Sequence, residues 1–255
     1  MTKGVRISCL AAIAPICFAI SALAQTSLTL TGPASGPVYD GIYMSPYYAT
    51  VGGVANTPVV CDDFADDAYL NSTWNATVTS FSSITSGNTS WGLAGANTPF
   101  YGAVGYLTNL VLSAAPGSTT QIIDTFALWA VFDPTGVETY LASNPITSGP
   151  LTTAALCSDI FGTAGCTSAM PMKGGLLYTA ENGGYTTSGF LNLTVLSPDV
   201  TGTSTICKAE HGCASQEFIS VPEGGSTMAY LLVAGLCCVG AMLLRSRRVV
   251  TRMIA

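Results

Sequence analysis

The chain has 255 residues, eight Lys and Arg against 14 Asp and Glu, a net charge of −6, and 49% hydrophobic but only 9% charged residues. Between Gln25 and Val221 the bases are Lys173 and Lys208 alone, facing thirteen acids. Such a body excludes nucleic acid and anionic lipid as partners, since both need Lys and Arg to displace counterions; cations and neutral glycans remain compatible.

The N-terminus reads as an export signal. Lys3 and Arg6 precede an apolar and small-residue run from Ile7 to Leu23, and Ala22-Leu23-Ala24 is a small-any-small cleavage site. Residues 1–24 are therefore expected to be a signal peptide, with the mature chain beginning at Gln25. Ser27–Leu30 alternates as a short strand. Tyr39–Gly53, with Tyr43, Tyr47, Tyr48 and Val51, ends in the hairpin signal Gly52-Gly53, and Thr57–Cys61 is the next β run.

Asp62-Asp63-Phe64-Ala65-Asp66-Asp67 follows. Four carboxylates in six residues could ligate Ca²⁺, although the EF-hand spacing is absent. The other reading is a solvated turn in which Asp62 or Asp63 caps a short helix. Trp74–Phe81 alternates as a further strand. Phe100–Ala114 places Val104, Leu107 and Val111 at helical spacing, interrupted by Gly102 and Gly105. Thr119–Val131 is the clearest helix, with an apolar stripe of Ile122, Phe126 and Trp129 stopped by Asp133-Pro134.

From Pro134 to about Lys173 the chain reads as loop-rich, Phe190–Leu196 as a closing strand, and residues 198–220 as a stapled loop or stalk. Cysteines of an exported body read as disulfides. Cys157 with Cys166 and Cys207 with Cys213 are local pairs that would leave Cys61 alone, though spacing does not fix the connectivity. His211, the one histidine, lies between Cys207 and Cys213, away from any evident nucleophile. No P-loop, dinucleotide turn or metal-ligand spacing appears, so no enzyme activity and no cofactor is expected.

The C-terminus has three parts in order. Val221-Pro222-Glu223-Gly224 is followed by Ser226 and Thr227. An uncharged run then reaches Leu244, and a basic stop of Arg245, Arg247 and Arg248 closes the series. Residues 226–244 have the length and apolarity of a transmembrane helix with a basic cytoplasmic tail. This arrangement resembles the PEP-CTERM sorting signal of Gram-negative exported proteins; Gly224 stands where that family most often has a second Pro. The resemblance implies an exosortase-type protease as partner, an inner-membrane stage before processing, and a cell-surface or extracellular product associated with exopolysaccharide.

The body carries a weaker resemblance. In the thioester domains of Gram-positive surface adhesins, a Cys reacts with the Gln of a Thr-Gln-any-Ala-apolar-Trp motif. Here Val60-Cys61 matches the first place and Ala127-Leu128-Trp129 the end of the second. Thr125 stands at the Gln position, and Gln121 lies one helical turn earlier. The resemblance implies an adhesin that bonds to a partner through Cys61, a reaction that needs a thiolate beside a side-chain amide.

The fold class expected from this order is α+β: an antiparallel, β-rich exported domain over residues 25–220 with a central helical segment, plus a C-terminal transmembrane helix. The function expected is that of a non-catalytic exported surface or extracellular-matrix protein. The alternatives are a thioester-domain-like adhesin and a secreted hydrolase of unknown type.

Overall fold

A computed structural model describes residues 24–33, 38–39, 42–64, 68–85, 88–90, 100–147, 151–163, 165–166, 172–198 and 216–221. Eight strands are present: β1 (Ala24–Pro33), β2 (Val38–Tyr39), β3 (Ile42–Tyr43), β4 (Tyr47–Val51), β5 (Val54–Cys61), β6 (Thr73–Ser80), β7 (Thr194–Pro198) and β8 (Phe218–Ser220). Six of them close an antiparallel barrel in the order β1-β4-β5-β8-β7-β6, and β2 and β3 form a separate small ladder.

The helices form one insertion between β6 and β7: α1 (Tyr101–Ser113), α2 (Thr119–Trp129), α3 (Pro134–Ser143), α4 (Thr153–Phe161) and α5 (Leu176–Asn182). The expected α+β class is thus corrected. Strands from both ends of the chain join in one closed barrel that carries five helices. The region 198–220 was expected to be a loop or stalk, but its last residues form β8, which bridges β5 and β7 and closes the ring.

The expected transmembrane helix is corrected too. Crossing ~30 Å of hydrocarbon takes about 20 apolar residues. Among the described residues no helix is long and apolar enough to cross a membrane, and the longest, α1, has 13 residues. Residues 226–244 lie outside the described residues.

Local chemistry accounts for the elements. Gly52 and Gly53 take φ of 58° and 86°, the left-handed pair that a two-residue hairpin turn requires, and join β4 to β5 through the Val51–Val54 pair. The Ser118 hydroxyl accepts from the Gln121 N–H to start α2. Asp133 ends the preceding helical path and caps α3, accepting from the Gly136 N–H at 2.8 Å with Pro134 at the first turn. Thr152 caps α4, and Gly162 closes it in the left-handed conformation. The stretch expected to be loop-rich thus holds two capped helices, whose few apolar side chains (Val137, Leu141, Leu156, Ile160) are all buried.

The barrel interior is apolar. Phe218 packs edge-on against Tyr47 and tilted against Trp74, with Leu28, Ala49 and Ala76 buried beside them. On β5, β8 and β7 the alternate residues Val60, Ile219 and Val195 are buried on the outer side, where the helices cover the sheet. Around β6, β1 and β4 the outer side carries half-buried and exposed residues instead. The barrel therefore has one face under helices and one facing solvent.

Candidate functional site

The polar groups sealed between barrel and helices gather where β5 and β8 end. Cys61 pairs with Phe218, and Leu196 of β7 also pairs with Phe218. Carried one step on, these registers place Asp62, Glu217 and Ser197 side by side on the helix-covered face. Asp62 and Glu217 are wholly buried and Ser197 nearly so. Three donors converge on Glu217: the Tyr101 hydroxyl from the first turn of α1, the Ser197 hydroxyl, and the Ser90 N–H at 2.7 Å.

Neither oxygen of Asp62 meets an N–H or hydroxyl donor. Burial pushes the Asp62 carboxyl well above the usual carboxylate range, and the charges of Glu217 and Asp63 push it further. Burial, then the Glu217 and Asp62 charges, also push the Tyr101 phenol far up. The cluster ties α1 to β7 and β8, and no atom of Asp62 or Glu217 faces a space that could admit a substrate.

Cys61 lies next to this cluster. It is the free cysteine among the described residues and is buried. Its thiol donates to the Asp63 carbonyl at 3.0 Å. Burial, then the Asp63 and Asp62 charges, hold its pKa well above that of an ordinary thiol. The Trp129 indole N–H donates to the Cys61 carbonyl at 3.0 Å, so the end of α2 does meet Cys61.

The amide partner does not. Gln121 is buried, and its Nε2 donates to the Val111 carbonyl of α1 while its Oε1 accepts from the Gly117 N–H. Thr125 is buried and donates its hydroxyl to the Gln121 carbonyl. Gln121 thus ties α2 to α1, and Thr125 bonds within α2. The side-chain amide that shares a partner with the Cys61 thiol is that of Gln216, whose Nε2 donates to the same Asp63 carbonyl at 3.3 Å.

The acidic run divides. Asp62 and Asp63 are buried, while Asp66 and Asp67 lie outside the described residues. Among the described residues no group of three or more His, Cys, Asp or Glu could hold a metal ion. A disulfide joins Cys157 on α4 to Cys166. Cys207, His211, Cys213, Pro222, Glu223, Gly224, Arg245, Arg247 and Arg248 lie outside the described residues, whereas Val221 packs partly buried against the core.

Sequence reasoning missed Glu217, Tyr101 and Ser197. One signal was available: Glu217 directly precedes the apolar pair Phe218-Ile219, and an acid beside so short an apolar run is easily carried indoors by the register.

A second surface is set by the uncovered half of the barrel. On β1, Leu28 and Leu30 face inward, so Gln25, Ser27, Thr29 and Thr31 face outward. On β6, Trp74 and Ala76 face inward, and Thr73, Asn75 and Thr77 outward. The register sets Thr29 beside Thr73, Ser27 beside Asn75 and Gln25 beside Thr77. On the other flank of β1, β4 adds Thr50 beside Thr29 and the exposed Tyr48 beside Gly32. The Thr29 and Thr73 hydroxyls are 2.8 Å apart, and Thr31 donates to the Tyr48 carbonyl. Among the described residues this face carries no carboxylate, amine, guanidinium or imidazole.

Comparison of the chain with protein-family models, curated proteins and solved structures finds no match.

Proposed function

We propose that this chain is a non-catalytic exported surface or extracellular-matrix protein, sorted by an exosortase-type protease and associated with exopolysaccharide. The observation that carries the reading is the Cys157–Cys166 disulfide, a cross-link that persists in oxidising compartments outside the cytosol. Its agreement with the N-terminal export signal and the ordered Val221-Pro222-Glu223 motif gives the reading its direction. The motif begins directly after β8, and Val221 still packs on the core, so a cut beyond Val221 leaves every barrel strand in place. The burial of Cys61, Asp62 and Glu217 fits a body that binds rather than turns over a substrate.

The test is processing in the host. With Val221-Pro222-Glu223 replaced by three alanines, the protein should stay at its unprocessed size and disappear from the extracellular polysaccharide fraction. Unchanged size and unchanged extracellular yield would defeat the sorting reading.

A further inference from the structure

We propose that the uncovered outer face of β6, β1 and β4 is a binding face for a neutral polysaccharide. This deepens the exopolysaccharide reading above and rests on it.

The chain is acidic overall, yet the described residues of this face are uncharged, mostly hydroxyls and amides. A polyanion would meet no cation here and would be repelled by the net charge of −6. A neutral polyol asks for donors and acceptors without a charge to desolvate, and hydroxyls and carboxamides supply both. Ser27, Thr29, Thr73 and Asn75 sit on adjacent strands in fixed register, giving a grid with about 4.8 Å between strands and about 6.8 Å along them.

Four outward side chains on β1 alone, Gln25 to Thr31, extend over about 20 Å, the footprint of several sugar rings rather than of one small molecule. Tyr48 stands exposed at one end of the grid. Its ring offers an apolar face for sugar C–H groups and its hydroxyl a polar tip. Tyr69 and Leu70, also exposed, enter the same end, because the Asn71 N–H bonds to the Leu30 carbonyl.

Other occupants fit this face less well. The barrel is closed, so β1, β4 and β6 have no free edge to accept a strand from another protein. A second copy of the chain would find apolar area to bury only around Tyr48, Tyr69 and Leu70 at one end of the described face.

The experiment is native affinity electrophoresis of the mature protein purified from the extracellular fraction. The gels contain dextran, laminarin or hydroxyethylcellulose as neutral probes, or alginate as an anionic one. Retardation is expected in at least one neutral gel and not in alginate. Tyr48→Ala and Asn75→Lys should each weaken that retardation about tenfold, the loss of one ring contact or the intrusion of one charge. Both side chains are exposed, so the thermal midpoint should hold; should either variant fold poorly, Ser27→Lys replaces it. Retardation by a neutral glucan that both variants keep in full would overturn the face while leaving the exopolysaccharide reading intact. So would retardation in alginate alone. Absence of retardation in all the gels overturns the face as well. If the wild-type protein is also missing from the host's extracellular polysaccharide fraction, the exopolysaccharide reading falls with it.

Discussion

Asp62 and Glu217 lie opposite each other one step beyond the last β5–β8 pair, and both carboxyls are sealed from solvent. Three donors serve Glu217, while burial and the facing Glu217 charge raise the Asp62 pKa.

The first prediction concerns pH. The folded-state pKa of Asp62 is raised, so an unfolded chain releases this proton near pH ~4 while the folded chain keeps it. The stabilisation is therefore complete below about pH 4 and declines as pH climbs toward the raised value. Asp124, pushed up to about 6 by burial, adds a decline that ends near that pH. Thermal unfolding followed upward from about pH 4 should show a midpoint that falls as pH rises. Asp62→Asn and Asp124→Asn should each make that fall shallower. A wild-type midpoint that rises with pH over this range would contradict a raised Asp62 pKa.

Trp129 offers a second prediction. Its indole N–H bonds to the Cys61 carbonyl, and its ring packs against Phe64 and Phe126. Trp129→Phe keeps most of the ring contacts and should cost about 1 kcal/mol, the net worth of one buried hydrogen bond. Trp129→Ala should cost roughly 3–5 kcal/mol. Denaturant titration of the two variants measures the difference, and equal losses would mean that the hydrogen bond matters no less than the ring.

Cys61 should be inert while the protein is folded. A buried thiol with a raised pKa has little thiolate to offer an alkylating reagent. Native protein is expected to resist iodoacetamide and to gain one adduct on Cys61 only after denaturation without reductant. The intact mass should equal the sequence mass less the disulfide hydrogens, with no loss of ammonia. A deficit of one ammonia that disappears in Cys61→Ala would establish a thioester at Cys61.

Two glycines of α1 set a packing limit. A Cβ on Gly102 would come within 2.0 Å of the Tyr185 carbonyl oxygen, and one on Gly105 within 2.4 Å of the Phe190 ring. The first obstacle is backbone and the second a side chain that can shift. Gly102→Ala should thus destabilise by about 2–3 kcal/mol or more and exceed Gly105→Ala, even though Ala is the better helix former. Chemical denaturation of the pair gives the order.

Those glycines also show what the sequence made legible. As helix breakers they argue against α1, yet they are there because the segment Tyr185–Phe190 lies on the helix. Propensity describes a residue alone, and the reason for Gly102 is a neighbour more than eighty positions away. The strand cores at Leu28, Val59–Cys61 and Trp74 and the Gly52-Gly53 turn were readable because alternation and turn chemistry are local. β8 was not, since three residues carry too little pattern and their pairing with β5 and β7 is wholly non-local. The site divided in the same way. Cys61 and Trp129 stand out in the sequence and do meet, while Glu217 and Tyr101 become partners only through the closure of the barrel.

That closure has a consequence in time. β1, β4, β5 and β6 all emerge early, but β5 has no neighbour on its far side until Phe218–Ser220 arrives. A chain emerging N-terminus first therefore shows an open sheet edge until the helical insertion has passed. A copy cut short before Phe218 keeps that edge for good, and two such copies could pair with each other.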